Sequence, residues 1–196
     1  MAVLIDPKDA YLHVAYDFRC LVRAEYAYRL GMKDASVGKK VPEITTVARN
    51  AVLAKARSLV DFYTKPSPRN TDITFNEYFG GSLQAADTTL FAKLTGVRAS
   101  MEVHDLHLTA WRDPAYRSSN ADPERQRIDW NAEQSNIVDN LLEALRISST
   151  SLSAEWQKAF LHLHTTSINA LQNGSGWEKD ISDEAETANY LHSLGL

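Results

Sequence analysis

Residues 90–112, which read LFAKLTGVRASMEVHDLHLTAWR, decide the predicted fold of this chain. Apolar side chains recur along this stretch at alternating spacings of four and three, provided that His104 is counted with them. That spacing is typical of one buried face of a helix. The members of this stripe are Leu90, Leu94, Val97, Met101, His104, Leu108 and Trp111. Asp87 and the two threonines after it suit a helix start, and Pro114 suits its end. We therefore predict a central helix with one polar residue, His104, on its buried face.

Four further segments have helical apolar spacing, so the sequence predicts an all-α protein. These segments are residues 7–31, 42–63, 131–147 and 152–171. Asp183 and Glu186 have the spacing of a capping box for a short final helix. No segment alternates over enough residues to indicate a strand. The expected architecture is a bundle of about five helices plus a short C-terminal helix, with residues 1–196 forming one domain and residues 176–196 a peripheral tail.

Residues 65–86 connect the second and central helices and contain prolines that interrupt a helix. Unstructured connections of roughly 20 residues are uncommon in compact domains. This one contains Phe75, Tyr78 and Phe79 just before two glycines. We expect these aromatic side chains to pack on the core, together with a short helical turn.

The composition indicates an ordinary globular protein without a general polyanion-binding surface. Apolar residues make up 44% of the chain, charged residues 23%, and the formal net charge is −4. A coat protein for nucleic acid or a membrane-surface protein needs a cationic face, although a local basic site remains compatible with this charge. Cys20 is the single cysteine, which we expect in the core and which excludes an internal disulfide. We expect a cytoplasmic protein with no signal peptide and no membrane span.

The central helix carries the most unusual chemical cluster of the sequence. Arg98 lies one position past Val97, and His104 and His107 follow it. A histidine on a buried stripe can simply be a core residue with a satisfied hydrogen bond. In the functional interpretation, His104 faces a cleft and transfers a proton, because the ordinary pKa of histidine is near neutral. Six residues separate Arg98 from His104 by roughly 240° and about 9 Å along an ideal helix, so the two side chains meet only through a shared ligand such as phosphate.

His104 and His107 also have the i, i+3 spacing of metal ligands on a helix, with Glu102 and Asp105 beside them. A metal site needs further ligands from another helix. His162 and His164 are two residues apart and point in nearly opposite directions on a helix. We therefore expect no metal and no cofactor.

Several motifs in order resemble those of the HEPN superfamily, in particular its abortive-infection-like bacterial branch. The Arg-x5-His element runs from Arg98 to His104, and a His-Leu-Thr-x-x-Arg segment runs from His107 to Arg112. The second predicted helix contains the sequences ARNAVL at 48–53 and ARSLVDFY at 56–63, and the loop PRNTD at 68–72 follows it. The sequence RIDW at 127–130 places a tryptophan at the start of the next helix. The resemblance covers roughly residues 45–144.

The resemblance implies a helical bundle, often a homodimer, in which Arg and His side chains of two subunits meet in a cleft. Active HEPN proteins are metal-independent endoribonucleases. In them the histidine acts as acid or base on the 2′-hydroxyl or the leaving oxygen, and the arginine stabilises the phosphate charge. By this resemblance Arg98, His104 and His107 are the expected catalytic residues, and Arg112 and Asp105 are expected to bind substrate.

Two functions follow from these observations. The first is a HEPN-like ribonuclease that acts as a toxin or phage-defence component, with RNA as substrate and an antitoxin-like protein as a partner. The second is a non-catalytic HEPN-like bundle that binds a partner protein or a nucleotide. The cluster on the central helix favours the ribonuclease. The acidic balance favours the binding bundle, as does Ala99, which follows Arg98 where active members usually have a polar residue.

Overall fold

The structure, a computed structural model, describes residues 5–33, 42–65, 72–104, 130–174 and 184–196. These residues form eight helices and no strand, so the predicted all-α class is confirmed. The helices are α1 (Pro7–Lys33), α2 (Pro42–Thr64), α3 (Phe75–Phe79), α4 (Leu83–Ala86), α5 (Thr88–His104), α6 (Trp130–Ser149), α7 (Ala154–Asn173) and α8 (Ala185–Ser193). The five long helices correspond to the five predicted ones, and α8 corresponds to the predicted tail helix.

Contacts between the long helices establish their relative directions. Asp17 on α1 contacts Lys55 and Ser58 on α2, whereas Gly31 on α1 lies against Thr45 near the start of α2. These two helices therefore form an antiparallel hairpin. The Tyr11 hydroxyl near the start of α1 donates to the carbonyl of Ala159 near the start of α7. Gly174, just after α7, lies against Tyr26 near the other end of α1, so α1 and α7 are parallel.

An aromatic cluster fills the end of the bundle where α1 begins and α2 ends. Phe75 and Phe79 are buried there, with ring centroids between 5.0 and 5.7 Å from that of Phe160. Phe62 on α2 makes edge contacts with both phenylalanines of α3. Burying a large apolar side chain stabilises a fold by roughly 1.5–3 kcal/mol. The predicted packing of the 65–86 connection through its aromatic residues is confirmed for its described part, which contains two short helices where one turn was expected.

The central stripe is confirmed as far as α5 is described. Leu90, Leu94 and Met101 are buried, and Val97 is half-buried. The Asp87 side chain accepts a hydrogen bond from the Leu90 amide at 2.9 Å, as expected for a helix start. Helices α2 and α5 pack against each other, and the buried residues of both belong to one core cluster. The remaining stripe members, Leu108 and Trp111, lie outside the described residues.

Hydroxyl side chains satisfy the backbone at the end of α6. Ser149, Thr150 and Ser151 donate to carbonyls three residues earlier, at 2.7–2.8 Å. The reason is that the last carbonyls of a helix have no partner within it, and a hydroxyl within reach satisfies them. At α8 the N-cap residue is Glu184, whose side chain makes no capping hydrogen bond, and Asp183 of the predicted capping box lies outside the described residues.

Candidate functional site

Arg98 is held in place by an ion pair across the α2–α5 contact. Its Nε donates to Asp61 Oδ1 at 2.7 Å, and the two side chains are 21% and 22% exposed. The buried neighbours Leu94 and Met101 fix the orientation of α5 on the core, and that orientation places Arg98 beside α2. A charge-assisted contact of this length is stronger than one between neutral groups. The guanidinium is thus oriented by a carboxylate while part of its side chain is still in reach of solvent.

The structure describes only part of the predicted site. His104 is the last residue of α5, and its backbone is placed while its side chain lies outside the described part. Asp105, His107 and Arg112 lie outside the described residues. The predicted cleft that brings Arg98 together with these residues stays a prediction. Sequence analysis missed Asp61 as the partner of Arg98, although Asp61 lies within the motif ARSLVDFY, because spacing along one helix contains no information about which residue of another helix it meets.

A second polar group, centred on Glu25, lies at the opposite end of the bundle from the aromatic cluster. Glu25 is fully buried. Its carboxylate accepts hydrogen bonds from Gln134 Nε2 at 2.6 Å, from Ser135 Oγ at 2.7 Å and from Arg29 Nε at 2.7 Å. The i, i+4 spacing of Glu25 and Arg29 favours their pairing. Glu25 comes three residues after Val22 and three before buried Tyr28, so it lies on the apolar face of α1.

A third polar group joins the outer faces of α1 and α2. Lys55 Nζ lies 2.6 Å from Asp17 Oδ1 and 4.7 Å from the centre of the Tyr16 ring. Burial alone would lower the pKa of Lys55, but the hydrogen bond and the charge of Asp17 outweigh burial and raise it. A hydrogen bond with Cys20 raises the pKa of Tyr16. Cys20 is half-buried, which differs from the core position predicted for it.

No group of three or more histidine, cysteine or acidic side chains that could hold a metal ion occurs in the described part of the chain. Within the same ranges, no helix combines the length and the apolar character that crossing a membrane requires.

No family model, no curated protein and no solved structure matches this chain.

Proposed function

We propose that this protein is a HEPN-like, metal-independent endoribonuclease of the cytoplasm that acts as a toxin or phage-defence component. Arg98 binds the scissile phosphate, and His104, with His107 beside it, transfers protons at the 2′-hydroxyl and the leaving oxygen. Arg112 and Asp105 contact the substrate, and two copies of the chain form the cleft. The observation that supports this proposal is the ion pair between Arg98 and Asp61, which holds a cation at a defined place on the helix that also contains His104.

The ion pair suits phosphate binding for a physical reason. An arginine side chain loses much rotational freedom when it binds, and a fixed partner on one nitrogen reduces that loss because the guanidinium is already oriented. Asp61 contacts Nε, and the side chain remains about one-fifth exposed. In this proposal Asp61 is a positioning residue that acts only through Arg98.

The test is cleavage of a fluorescent single-stranded RNA by the purified full chain, with and without EDTA. General acid–base catalysis contributes typically 10²–10⁴-fold, so His104→Ala should lower the rate by that order. Arg98→Ala should lower it similarly by removing phosphate stabilisation. Arg146→Ala is the matched control, because Arg146 also pairs with a carboxylate, Glu143, but on an exposed helix surface. EDTA should have no effect. Cleavage that survives Arg98→Ala unchanged would exclude the assigned role of Arg98.

The two histidines are distinguished in the same assay. If His107→Ala abolishes cleavage while His104→Ala only lowers the melting temperature, His104 is a core residue and His107 is the catalytic one. Light scattering at micromolar concentration tests the homodimer. A protein that is monomeric under assay conditions cannot have a cleft built from two subunits.

The same ion pair also favours the second function, a non-catalytic bundle that binds a partner protein or nucleotide. Asp61 already neutralises Arg98, and a neutralised arginine is a weaker ligand for RNA phosphate. Asp61→Asn separates the two cases. In the ribonuclease this substitution removes the carboxylate charge beside Arg98 and weakens the contact that orients the guanidinium. The rate of cleavage and the dependence of that rate on salt concentration should therefore both change. In the binding bundle, wild type and all variants lack cleavage, and Asp61→Asn changes only the stability.

A further inference from the structure

Arg19 on α1 lies beneath the C-terminal helix α8, away from the site on α5. Its Nη1 donates to Thr187 Oγ1 on α8 at 2.7 Å. Other contacts also hold α8 in place, among them the burial of Leu191 and the stacking of Tyr190 on His162 of α7, with ring centroids 4.1 Å apart. Arg19 is therefore a cation enclosed where α1 and α8 meet.

The remaining nitrogens of Arg19 have an unusual environment. Both Nε and Nη2 are buried, and neither has a hydrogen-bond partner in the described part of the chain. These two nitrogens share one edge of the planar guanidinium, and their N–H groups are parallel. That edge is the one that binds two oxygens of a carboxylate or phosphate at once. Arg49 has one buried nitrogen of this kind, whereas Arg19 has the complete pair.

We propose that Arg19 and Thr187 form a binding site for a phosphate group, independent of the ribonuclease function. The Nε and Nη2 edge of Arg19 donates to two phosphate oxygens. Thr187 accepts from Nη1, and a hydroxyl that accepts can still donate its own proton, so it supplies a neutral donor beside the cation. A buried charge whose donors have no acceptor is destabilising, and a bound dianion relieves that cost directly.

The hydrogen bond to Thr187 joins Arg19 to a neutral hydroxyl rather than to a carboxylate. The positive charge of Arg19 acts to lower the pKa of Tyr11, but burial of that phenol has the larger effect and raises its pKa. The acidic residue beside Thr187 is Glu186, which is exposed and has an interaction of its own. Glu184 and Glu186 are the described carboxylates nearest to Thr187 along the chain, and both are exposed.

Phosphate reaches the site through local opening of α8. This helix has nine residues, and Leu191 is its one buried residue, so few apolar contacts hold it. Short, mostly exposed elements open at a lower free energy than the core. Phosphate that contacts both the Nε and Nη2 edge of Arg19 and the Thr187 hydroxyl ties α8 to α1, which predicts slower opening of α8 when phosphate is present.

The experiment measures the melting temperature and the hydrogen exchange of α8 amides in the full chain. Sodium phosphate is compared with sodium chloride and sodium acetate at equal ionic strength. A ligand at ten times its dissociation constant stabilises the folded state by about 1.4 kcal/mol, which should raise the melting temperature of a protein of this size by roughly 3–6 °C. Phosphate should produce that shift and slow exchange in α8. If chloride has the same effect, the cause is screening of charges by salt. If acetate has the same effect, the site is not selective for phosphate. Either result overturns the proposal.

Four variants locate the effect. Arg19→Gln should abolish the phosphate shift, and Arg19→Lys should weaken apparent binding tenfold or more, because an ammonium lacks the two-donor edge. Thr187→Ala should weaken it several-fold, which keeps the test valid if Arg19→Gln does not fold. Glu186→Gln is the matched control on α8 and should bind phosphate at least as tightly as wild type. Loss of the phosphate effect in Glu186→Gln, or its persistence in both Arg19→Lys and Thr187→Ala, would contradict the proposed site.

Discussion

Replacing Glu25 by alanine should destabilise this protein more than replacing an exposed glutamate that also pairs with an arginine. Glu25 is fully buried and accepts three hydrogen bonds, two of them from α6. Alanine removes the acceptor while its donors remain. The cost depends on how many of those donors can return to water.

The magnitude follows from the exposure of each donor. Gln134 is 1% exposed, so its amide keeps the full cost of an unsatisfied buried group. Arg29 is 34% exposed and Ser135 is half-buried, so both recover part of their hydration. A hydrogen bond to a charged group contributes about 1.5–3 kcal/mol, and removing one partner of a buried ion pair costs about 3–5 kcal/mol. We expect a loss of about 3–5 kcal/mol for Glu25→Ala, which corresponds to roughly 6–20 °C in melting temperature.

Glu25→Gln tests the assignment of the network more finely. The Gln134 side-chain oxygen is buried and has no hydrogen-bond partner among the described residues. If the Gln134 amide turns over, this oxygen accepts from the new amide at position 25, and a hydrogen bond between α1 and α6 is kept. The expected loss is therefore about 1–3 kcal/mol, which is smaller than for alanine.

Urea unfolding followed by circular dichroism at pH 7 measures these losses. The free energy of unfolding should depend on urea concentration with the same slope in wild type and variants, which shows that the substitution leaves the surface exposed on unfolding unchanged. Glu143→Ala is the control. Glu143 pairs with Arg146 at 2.5 Å, but both side chains are more than 40% exposed, and such pairs contribute up to about 1 kcal/mol. The reasoning is refuted if Glu25→Ala costs no more than Glu143→Ala.

Two adjacent glycines should differ in how they respond to alanine, as measured by urea unfolding. Gly80 has φ +67° and open space around it, so alanine there costs about 1–2 kcal/mol of backbone strain. At Gly81 a Cβ would lie 2.3 Å from the buried ring of Phe75, and such overpacking costs about 3 kcal/mol. Equal losses at the two positions would contradict the packing of Phe75. Stability should also fall as the pH drops below about 6.5. Burial, followed by the charge of Arg146, lowers the pKa of His164 in the folded protein. The unfolded chain therefore binds a proton at this histidine more readily than the folded protein does, and acid favours unfolding. His164→Gln should remove this part of the acid sensitivity in a pH series of melting temperatures.

The fold class could be predicted because each of the five long helices repeats apolar residues at intervals of three and four over several turns. The buried residues Phe18 and Val22 on α1, and Val138 and Leu142 on α6, occupy the positions that this period assigns to the core. The period cannot show which helix lies opposite. The parallel arrangement of α1 and α7 depends on contacts such as that of Tyr11 with Ala159, which are 148 residues apart in sequence.

The burial and the partners of polar residues on the apolar face of a helix could not be predicted from the sequence. The i, i+4 spacing indicates the local pairing of Glu25 with Arg29, yet the burial of Glu25 depends on Gln134 and Ser135, more than a hundred residues away. The candidate site has the same difficulty. The sequence places Arg98 on the central helix, but its ion pair with Asp61 depends on the packing of α2 against α5, which the spacing of residues along one helix does not specify.

Glu25 also bears on the histidine of the central stripe. A polar residue at a stripe position of α1 is, in this protein, fully satisfied by three donors and linked to no candidate site. The position of His104 on a stripe is therefore insufficient evidence for catalysis, because the same pattern also produces a structural contact between helices. The distinction has to come from a measurement in which stability and rate respond differently. Substitution of a structural residue lowers the stability, and it lowers the rate only in proportion to the fraction of protein that unfolds. Substitution of a catalytic residue lowers the rate in protein that remains folded.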